Sequence, residues 1–199
     1  MIILHGGAGR MEEARVVADN LEIPRLNYLL LNAPRENPEG GFDWYDGDFN
    51  GALNGNGTGP GGQPACCPRE ALDKVIFELE EQGFERRHIF WLGFSQGSRV
   101  TLEYGIRTIH DYGGFIGISG CCGDVEILTR DMTEQARRSE WFISHGSMDE
   151  INPINGVRSG IKSLAGHGLP VMYCEFEKGH DIDYEFEMPM IRQWVLRRL

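Results

Sequence analysis

Ile89-Phe90-Trp91-Leu92-Gly93-Phe94-Ser95-Gln96-Gly97-Ser98-Arg99-Val100 is the stretch on which the fold turns. Residues 89–92 form a continuous apolar run, as expected of a strand covered on both faces. Past Gly97, the residues Val100, Tyr104 and Ile109 carry a helical pattern forward. Between strand and helix lies G-x-S-x-G, which places Ser95 on a sharp strand-to-helix turn. Backbone segments nearly touch in such a turn, so small residues on both sides of the serine are a steric need; Gly93 and Gly97 supply them. The following helix start aims free N–H groups and the positive end of its dipole at the serine. A glycine-bounded turn with an incidental serine is the competing reading, and it leaves the flanking strand and helix unexplained.

Outward from this turn, short apolar runs alternate with helix-period segments. Candidate strands are Ile2-Leu4, Leu26-Leu31, Ile89-Leu92, Phe115-Ile118, Trp141-Ser144 and Val171-Phe176. Ala71, Leu72, Val75, Ile76 and Leu79 share one helix face, as do Ile154, Val157, Ile161 and Leu164. Phe186, Ile191, Trp194, Val195 and Leu199 mark a final amphipathic helix. The alternation predicts an α/β fold: a mostly parallel sheet of about six strands with helices on both faces. No repeat or composition shift interrupts residues 1–199, which read as a single domain. The glycine-rich stretch 51–62 lacks the Gly-Lys-Ser/Thr of a phosphate-cradling loop and reads as a surface loop.

Composition narrows the partners. With 19 basic and 30 acidic residues the chain carries a formal charge of −11, which repels phosphate backbones and anionic lipid. Nucleic acid and stable membrane association are therefore not expected. No apolar run reaches the roughly 18 residues of a membrane span, and Met1-Ile2-Ile3-Leu4-His5 is not a signal peptide. A cytoplasmic protein is the expectation. Its five cysteines are Cys66, Cys67, Cys121, Cys122 and Cys174. An odd count without a leader does not suit a secreted disulfide framework. The adjacent pairs would strain a zinc site, so apolar packing is favoured over a metal or a disulfide across the two loops.

A serine hydroxyl needs a base to take its proton, usually a histidine oriented by a carboxylate. In an open α/β sheet such groups collect at the carboxyl ends of the strands. After Trp141-Ser144 comes His145-Gly146-Ser147-Met148-Asp149-Glu150-Ile151-Asn152-Pro153, and after Val171-Phe176 comes Glu177-Lys178-Gly179-His180-Asp181. Asp149 is the expected acid and His180 the expected base. Glu150 and Asp181 compete as solvated neighbours, and Asp124, after an earlier strand, competes as an alternative acid. His88 and His110 fall nearer the amino side of the sheet and His167 ends a helix. For His145 a structural hydrogen-bonding role is expected. At the first strand end, Leu4-His5-Gly6-Gly7-Ala8-Gly9 lets the backbone turn an N–H toward a developing oxyanion, so Gly7 and Gln96 are the expected main-chain donors. The stretch lacks the spacing of a dinucleotide fingerprint.

These residues resemble the phospholipase/carboxylesterase family of α/β hydrolases, which includes acyl-protein thioesterases. The resemblance is carried by Leu4-His5-Gly6, Asn32-Ala33-Pro34, Trp44-Tyr45-Asp46, Gly93-Phe94-Ser95-Gln96-Gly97, Ile118-Ser119-Gly120, His145-Gly146 with Asp149 and Pro153, and Gly179-His180. It implies a minimal α/β-hydrolase fold and hydrolysis of esters or thioesters without cofactor or metal. Three departures stand out. The chain begins directly at the oxyanion strand, Gly7 stands where relatives carry a larger apolar residue, and Cys121-Cys122 replaces an aromatic-containing segment.

The expected enzyme forms an acyl-enzyme at Ser95, with His180 and Asp149 completing a triad. Trp44, Tyr45 and Ile151 are the expected substrate contacts, the two aromatics walling an open site for small, soluble short- to medium-chain acyl substrates. Rival readings are hydrolysis of an amide, lactone or peptide, and a non-catalytic binding protein of the same shape; a homodimer stays open.

Overall fold

The computed structural model describes residues 1–45 and 68–199. The glycine-rich stretch 51–62, Asp46, Cys66 and Cys67 lie outside the described residues. In chain order the elements are β1 (Ile2–Leu4), α1 (Met11–Leu21), β2 (Leu29–Leu31), β3 (Arg35–Glu36), β4 (Phe42–Asp43), α2 (Pro68–Glu81) and β5 (Phe90–Phe94). There follow α3 (Gln96–Ile106), β6 (Gly114–Ile118), α4 (Val125–Asp131), β7 (Trp141–Gly146), α5 (Ile154–Gly166), β8 (Val171–Phe176) and α6 (Glu187–Leu196). Six strands make one parallel sheet in the order β2-β1-β5-β6-β7-β8, and β3 and β4 form a separate antiparallel pair.

Both faces of the sheet are covered, which is why its inner strands read as mostly apolar runs, whereas the edge strand β8 carries the exposed Glu175. Side chains alternate between the faces. Ile2, Leu4, Trp91, Phe115, Trp141 and Ile143 point into one core, filled from the helices by Leu72, Ile76, Val100, Leu128, Val157, Ile161 and Leu164. Ile3, Phe90, Leu92, Ile116, Ile118 and Phe142 point into the other, under α1 and α6, with Val17, Leu21, Ile191 and Trp194. The Trp194 ring meets Phe90 and Phe142 edge-on at centroid distances of 6.4 and 6.0 Å.

Three expectations shift. The strand expected over 26–31 is confined to Leu29–Leu31, because β1 offers only three residues to pair with; Leu26 N instead closes a turn on Ile23 O. The helix after Ser95 stops at Ile106 and leaves Ile109 75% exposed. There Thr133 N takes the Ile106 carbonyl and Thr108 N closes a tighter turn on Gly105. The third is α1, for which no helix is expected from the sequence. Its buried stripe of Ala14, Val17, Ala18 and Leu21 has helical spacing, but small residues among charges give a weak signal.

Sheet order positions the crevice at the top of the strands. The chain leaves β1 for β2 on one side and returns to β5 on the other, so the order reverses between β1 and β5. Open α/β sheets bind ligands in the crevice at such a switch point, beyond the carboxyl ends of the strands.

Candidate active site

Ser95 stands at the end of β5 with φ 51° and ψ −113°, a strained conformation for a residue with a side chain. The surrounding contacts enforce it. A Cβ on Gly93 would lie 2.1 Å from Gly97 O, and one on Gly97 would lie 2.4 Å from Leu4 O. Only glycine at both positions lets α3 start so close to β1 and β5, and the tight approach leaves the serine hydroxyl half-buried at the crest of the turn. Ser95 N is held by Ile118 O at 2.9 Å, which ties the turn to β6.

The loops after β7 and β8 converge on this hydroxyl. His180 Nε2 lies 2.7 Å from Ser95 Oγ, and His180 Nδ1 lies 2.8 Å from Asp149 Oδ2. The carboxylate receives backbone N–H bonds at Oδ1 from Ile151, 2.9 Å, and Asn152, 2.8 Å. Burial by itself would raise the Asp149 pKa. The Asn152 amide and the His180 imidazole outweigh it and hold the carboxyl below its ordinary value of 3.8. Asp149 is therefore a buried carboxylate anion with both oxygens engaged. Such an anion fixes the imidazole ring and favours the tautomer with hydrogen on Nδ1, leaving Nε2 to accept from a hydroxyl.

The competing carboxylates lie elsewhere. Asp124 caps α4, accepting from Ile127 N at 3.1 Å, and Glu150 is exposed. His145 is fully buried, with Nε2 2.7 Å from Asn152 O and 3.3 Å from Asp149 Oδ2. It braces the acid loop through Asn152 O and approaches the same Asp149 oxygen that meets His180.

The loop after β1 is braced in turn. His5 Nε2 accepts from Ala33 N at 3.0 Å, so the proton sits on Nδ1, which donates to Gly6 O at 2.6 Å. Burial lowers the His5 pKa, opposed by the Gly6 bond and by the charges of Glu13 and Asp43, and the ring is kept neutral. Asp43, in β4, accepts from Ala8 N at 2.8 Å and from Asn37 Nδ2. Gly7 sits against the Gln96 side chain, a Cβ there falling 3.3 Å from Gln96 Nε2.

Trp44 and Tyr45 do not wall an open site. Trp44 is 1% exposed and Tyr45 7%. Trp44 Nε1 donates to His5 O at 2.9 Å and its backbone N donates to Gln96 Oε1, so the indole sits behind the loop after β1. The Arg99 guanidinium lies over the Tyr45 ring at 5.2 Å. Aromatic side chains with these partners are more stable buried than at an open rim. Ile151, beside the acid, is 69% exposed.

Several contacts at the site were not expected from the sequence. Asn152 Nδ2 donates to Ser119 O, 3.0 Å, and Ser119 Oγ donates to Asp181 O, 3.1 Å, linking the loops after β6, β7 and β8. Lys178 Nζ, buried, donates to both carboxylate oxygens of Glu187 at 2.6 and 2.8 Å and to Asp181 O at 2.7 Å. This pair clamps both sides of His180 to the start of α6. Among the described residues Cys121, Cys122 and Cys174 are free thiols, and burial pushes Cys122 up to about 12. At that value Cys122 is inert packing, not a nucleophile.

The parallel six-strand sheet covered on both faces, with a serine turn after β5 and an acid and a histidine after β7 and β8, defines an α/β hydrolase. The phospholipase/carboxylesterase family model matches residues 1–194, and the chain belongs to that family. Acyl-protein thioesterase 1 of Yarrowia lipolytica is 26% identical over 164 residues, 76% of this chain and 69% of that protein. The Eremothecium gossypii protein of the same name is 33% identical over 93 residues, 47% of this chain but 39% of its own length. A protein of Oryza sativa subsp. japonica named as a probable inactive carboxylesterase is 29% identical over 117 residues, 57% of this chain and 46% of its own. The matched stretch thus spans less than half of two of these relatives. Among solved structures, Arabidopsis thaliana SOBER1 superposes with TM-score 0.82 at 18% identity, covering 99% of this chain and 97% of that one. Zea mays acyl-protein thioesterase 2 gives TM-score 0.73 at 17% identity, covering 99% and 92%. These two likenesses are of fold. No helix among the described residues is long and apolar enough to cross a membrane.

Proposed function

We propose that this chain is a serine esterase or thioesterase that works through an acyl-enzyme. The observation that carries the proposal is the continuous line Ser95 Oγ, His180 Nε2, His180 Nδ1, Asp149 Oδ2, with steps of 2.7 and 2.8 Å outside the ring. Ser95 Oγ attacks the acyl carbon while His180 Nε2 takes the hydroxyl proton, and Asp149 stabilises the imidazolium that results. The N–H groups of Gly7 and Gln96 bind the tetrahedral oxyanion. On collapse the bond to the leaving oxygen or sulfur breaks, and that atom takes the proton from Nε2. Water then repeats the cycle on the acyl-enzyme.

Small-molecule short- to medium-chain acyl substrates, with Ile151 at the rim, are the proposed class, and the cytoplasm the proposed setting. Ser95→Ala is expected to abolish labelling by a fluorophosphonate probe and to lower turnover by several orders of magnitude. Labelling that persists in that variant at Ser98 or Ser147 overturns the assignment. Failure of the unmodified protein to label favours a non-catalytic binding protein.

A further inference from the structure

The switch point between β1 and β5 contains a cavity of about 350 Å³ that the reaction scheme leaves unused. Its lining is largely apolar: the buried Ala14 and Val17 of α1 and Leu92, with Phe94, Ile182 and the more exposed Tyr184. His180 lies on its wall, and the Phe94 ring packs on the imidazole at a centroid distance of 5.3 Å. Gly6 opens it toward the serine: a Cβ there would stand 3.2 Å from the Phe94 ring and 3.4 Å from Ser95 Cβ. The charged side chains on the lining, besides the imidazoles, are Glu13 and Asp181, both acidic and both exposed. A far larger hollow, about 1040 Å³ between α4 and α5, is lined by neither Ser95 nor His180.

We infer that the cavity between β1 and β5 binds the leaving group of the ester or thioester, as an apolar, uncharged or cationic alcohol or thiol. The inference rests on the acyl-enzyme reading. As the tetrahedral intermediate collapses, the carbon–oxygen bond breaks, its electron pair stays on the departing oxygen, and His180 Nε2 supplies the proton. The departing oxygen therefore lies against the imidazole, and whatever it carries extends into space bordered by that ring. The cavity wall contains that imidazole and, at Gly6, borders Ser95, while Gln96, an expected oxyanion donor, is not part of it. A volume of this size admits a phenyl or short alkyl group. Two carboxylates with no Lys or Arg on the lining, in a chain of net charge −11, disfavour an anionic leaving group such as a nucleotide-bearing thiol.

The test compares methyl, benzyl and 4-carboxybenzyl butyrate, whose alcohols differ little in acidity, so differences in kcat/KM report binding of the leaving side. The benzyl ester is expected to exceed the methyl ester by about tenfold or more, from burial of the ring. The 4-carboxybenzyl ester is expected to lose that gain, and Glu13→Gln to restore part of it. Val17→Phe, which fills the cavity from α1, is expected to bring the benzyl-to-methyl ratio toward one. Tyr184→Ala, at a side chain 42% exposed, is expected to lower the same ratio without disturbing the core. Equal rates for methyl and benzyl esters, or a 4-carboxybenzyl ester as good as the benzyl ester, overturn the inference alone. So does a Val17→Phe variant that discriminates against methyl hexanoate relative to methyl acetate with its benzyl-to-methyl ratio unchanged. No hydrolysis of any ester, with no fluorophosphonate labelling, overturns the inference together with the acyl-enzyme reading.

Discussion

Asp149 and His5 show how single side chains hold a site in one state. Asp149 accepts two backbone N–H bonds on one oxygen and the imidazole on the other, so its charge and its direction are both set. Asp149→Asn keeps the shape but presents an amide N–H or a neutral oxygen to His180, which favours the wrong tautomer. Turnover is expected to fall about 10³–10⁴-fold with the circular dichroism spectrum unchanged. Glu150→Gln and Asp124→Asn are the controls. The first is exposed, and in the second an asparagine can still cap α4, so turnover is expected to stay within about twofold. His5 acts through pH. Its folded pKa is lowered from 6.5 by burial, so the unfolded chain binds the proton more tightly. The stabilisation is complete above about 6.5 and is lost as pH falls through the lowered folded value, where a protonated Nε2 would face Ala33 N–H. Urea midpoints measured from about pH 7.5 down to about 5 are expected to decline, and His5→Gln to remove His5's share of the decline while starting from a lower midpoint.

Elements bring these residues together, and the connection from β8 to α6 shows how. Residues 177–186 have no regular structure, yet the loop holds His180 2.7 Å from Ser95 Oγ. The Lys178–Glu187 pair explains this, since both side chains are buried and the ammonium also grips Asp181 O. Removing one partner of a buried pair leaves the other charged without compensation, at a cost of about 3–5 kcal/mol. Glu187→Gln is thus expected to lower thermal stability sharply, while the double change Lys178→Met with Glu187→Leu recovers most of it. Because the double variant also lacks the grip on Asp181 O, its kcat is expected to remain depressed with KM little changed. Recovery of both stability and kcat would show that the pair does not position the loop. None of this is legible in the sequence: lysine and glutamate nine residues apart look like any two surface charges. By contrast, the helix face of Val157, Ile161 and Leu164 is plain there, because periodicity reports burial directly.

At the scale of the whole molecule, access to the site depends on how the connection between β6 and β7 is used. Residues 119–140 contain one helix, α4, of seven residues, and it packs against α3 and α5. A chain of charge −11 is moreover repelled by anionic interfaces. The rate against substrate concentration is accordingly expected to saturate smoothly for a short-chain ester, with no jump where the ester forms micelles or droplets. A sharp rise there would show interfacial activation and refute the reading.

The sequence by itself determined the glycine-flanked serine turn, the parallel α/β class and the order in which serine, acid and histidine follow their strands. Each of these is a local property, written in spacing, apolar runs and two obligatory glycines. Tertiary structure alone decided that Lys178 and Glu187 pair across the loop that carries His180, that Trp44 and Tyr45 turn inward behind the loop after β1, and that β1 and β5 border a cavity beside the imidazole. Those outcomes depend on which distant segments become neighbours. The sheet order sets that, and side-chain chemistry along a chain does not name its partners.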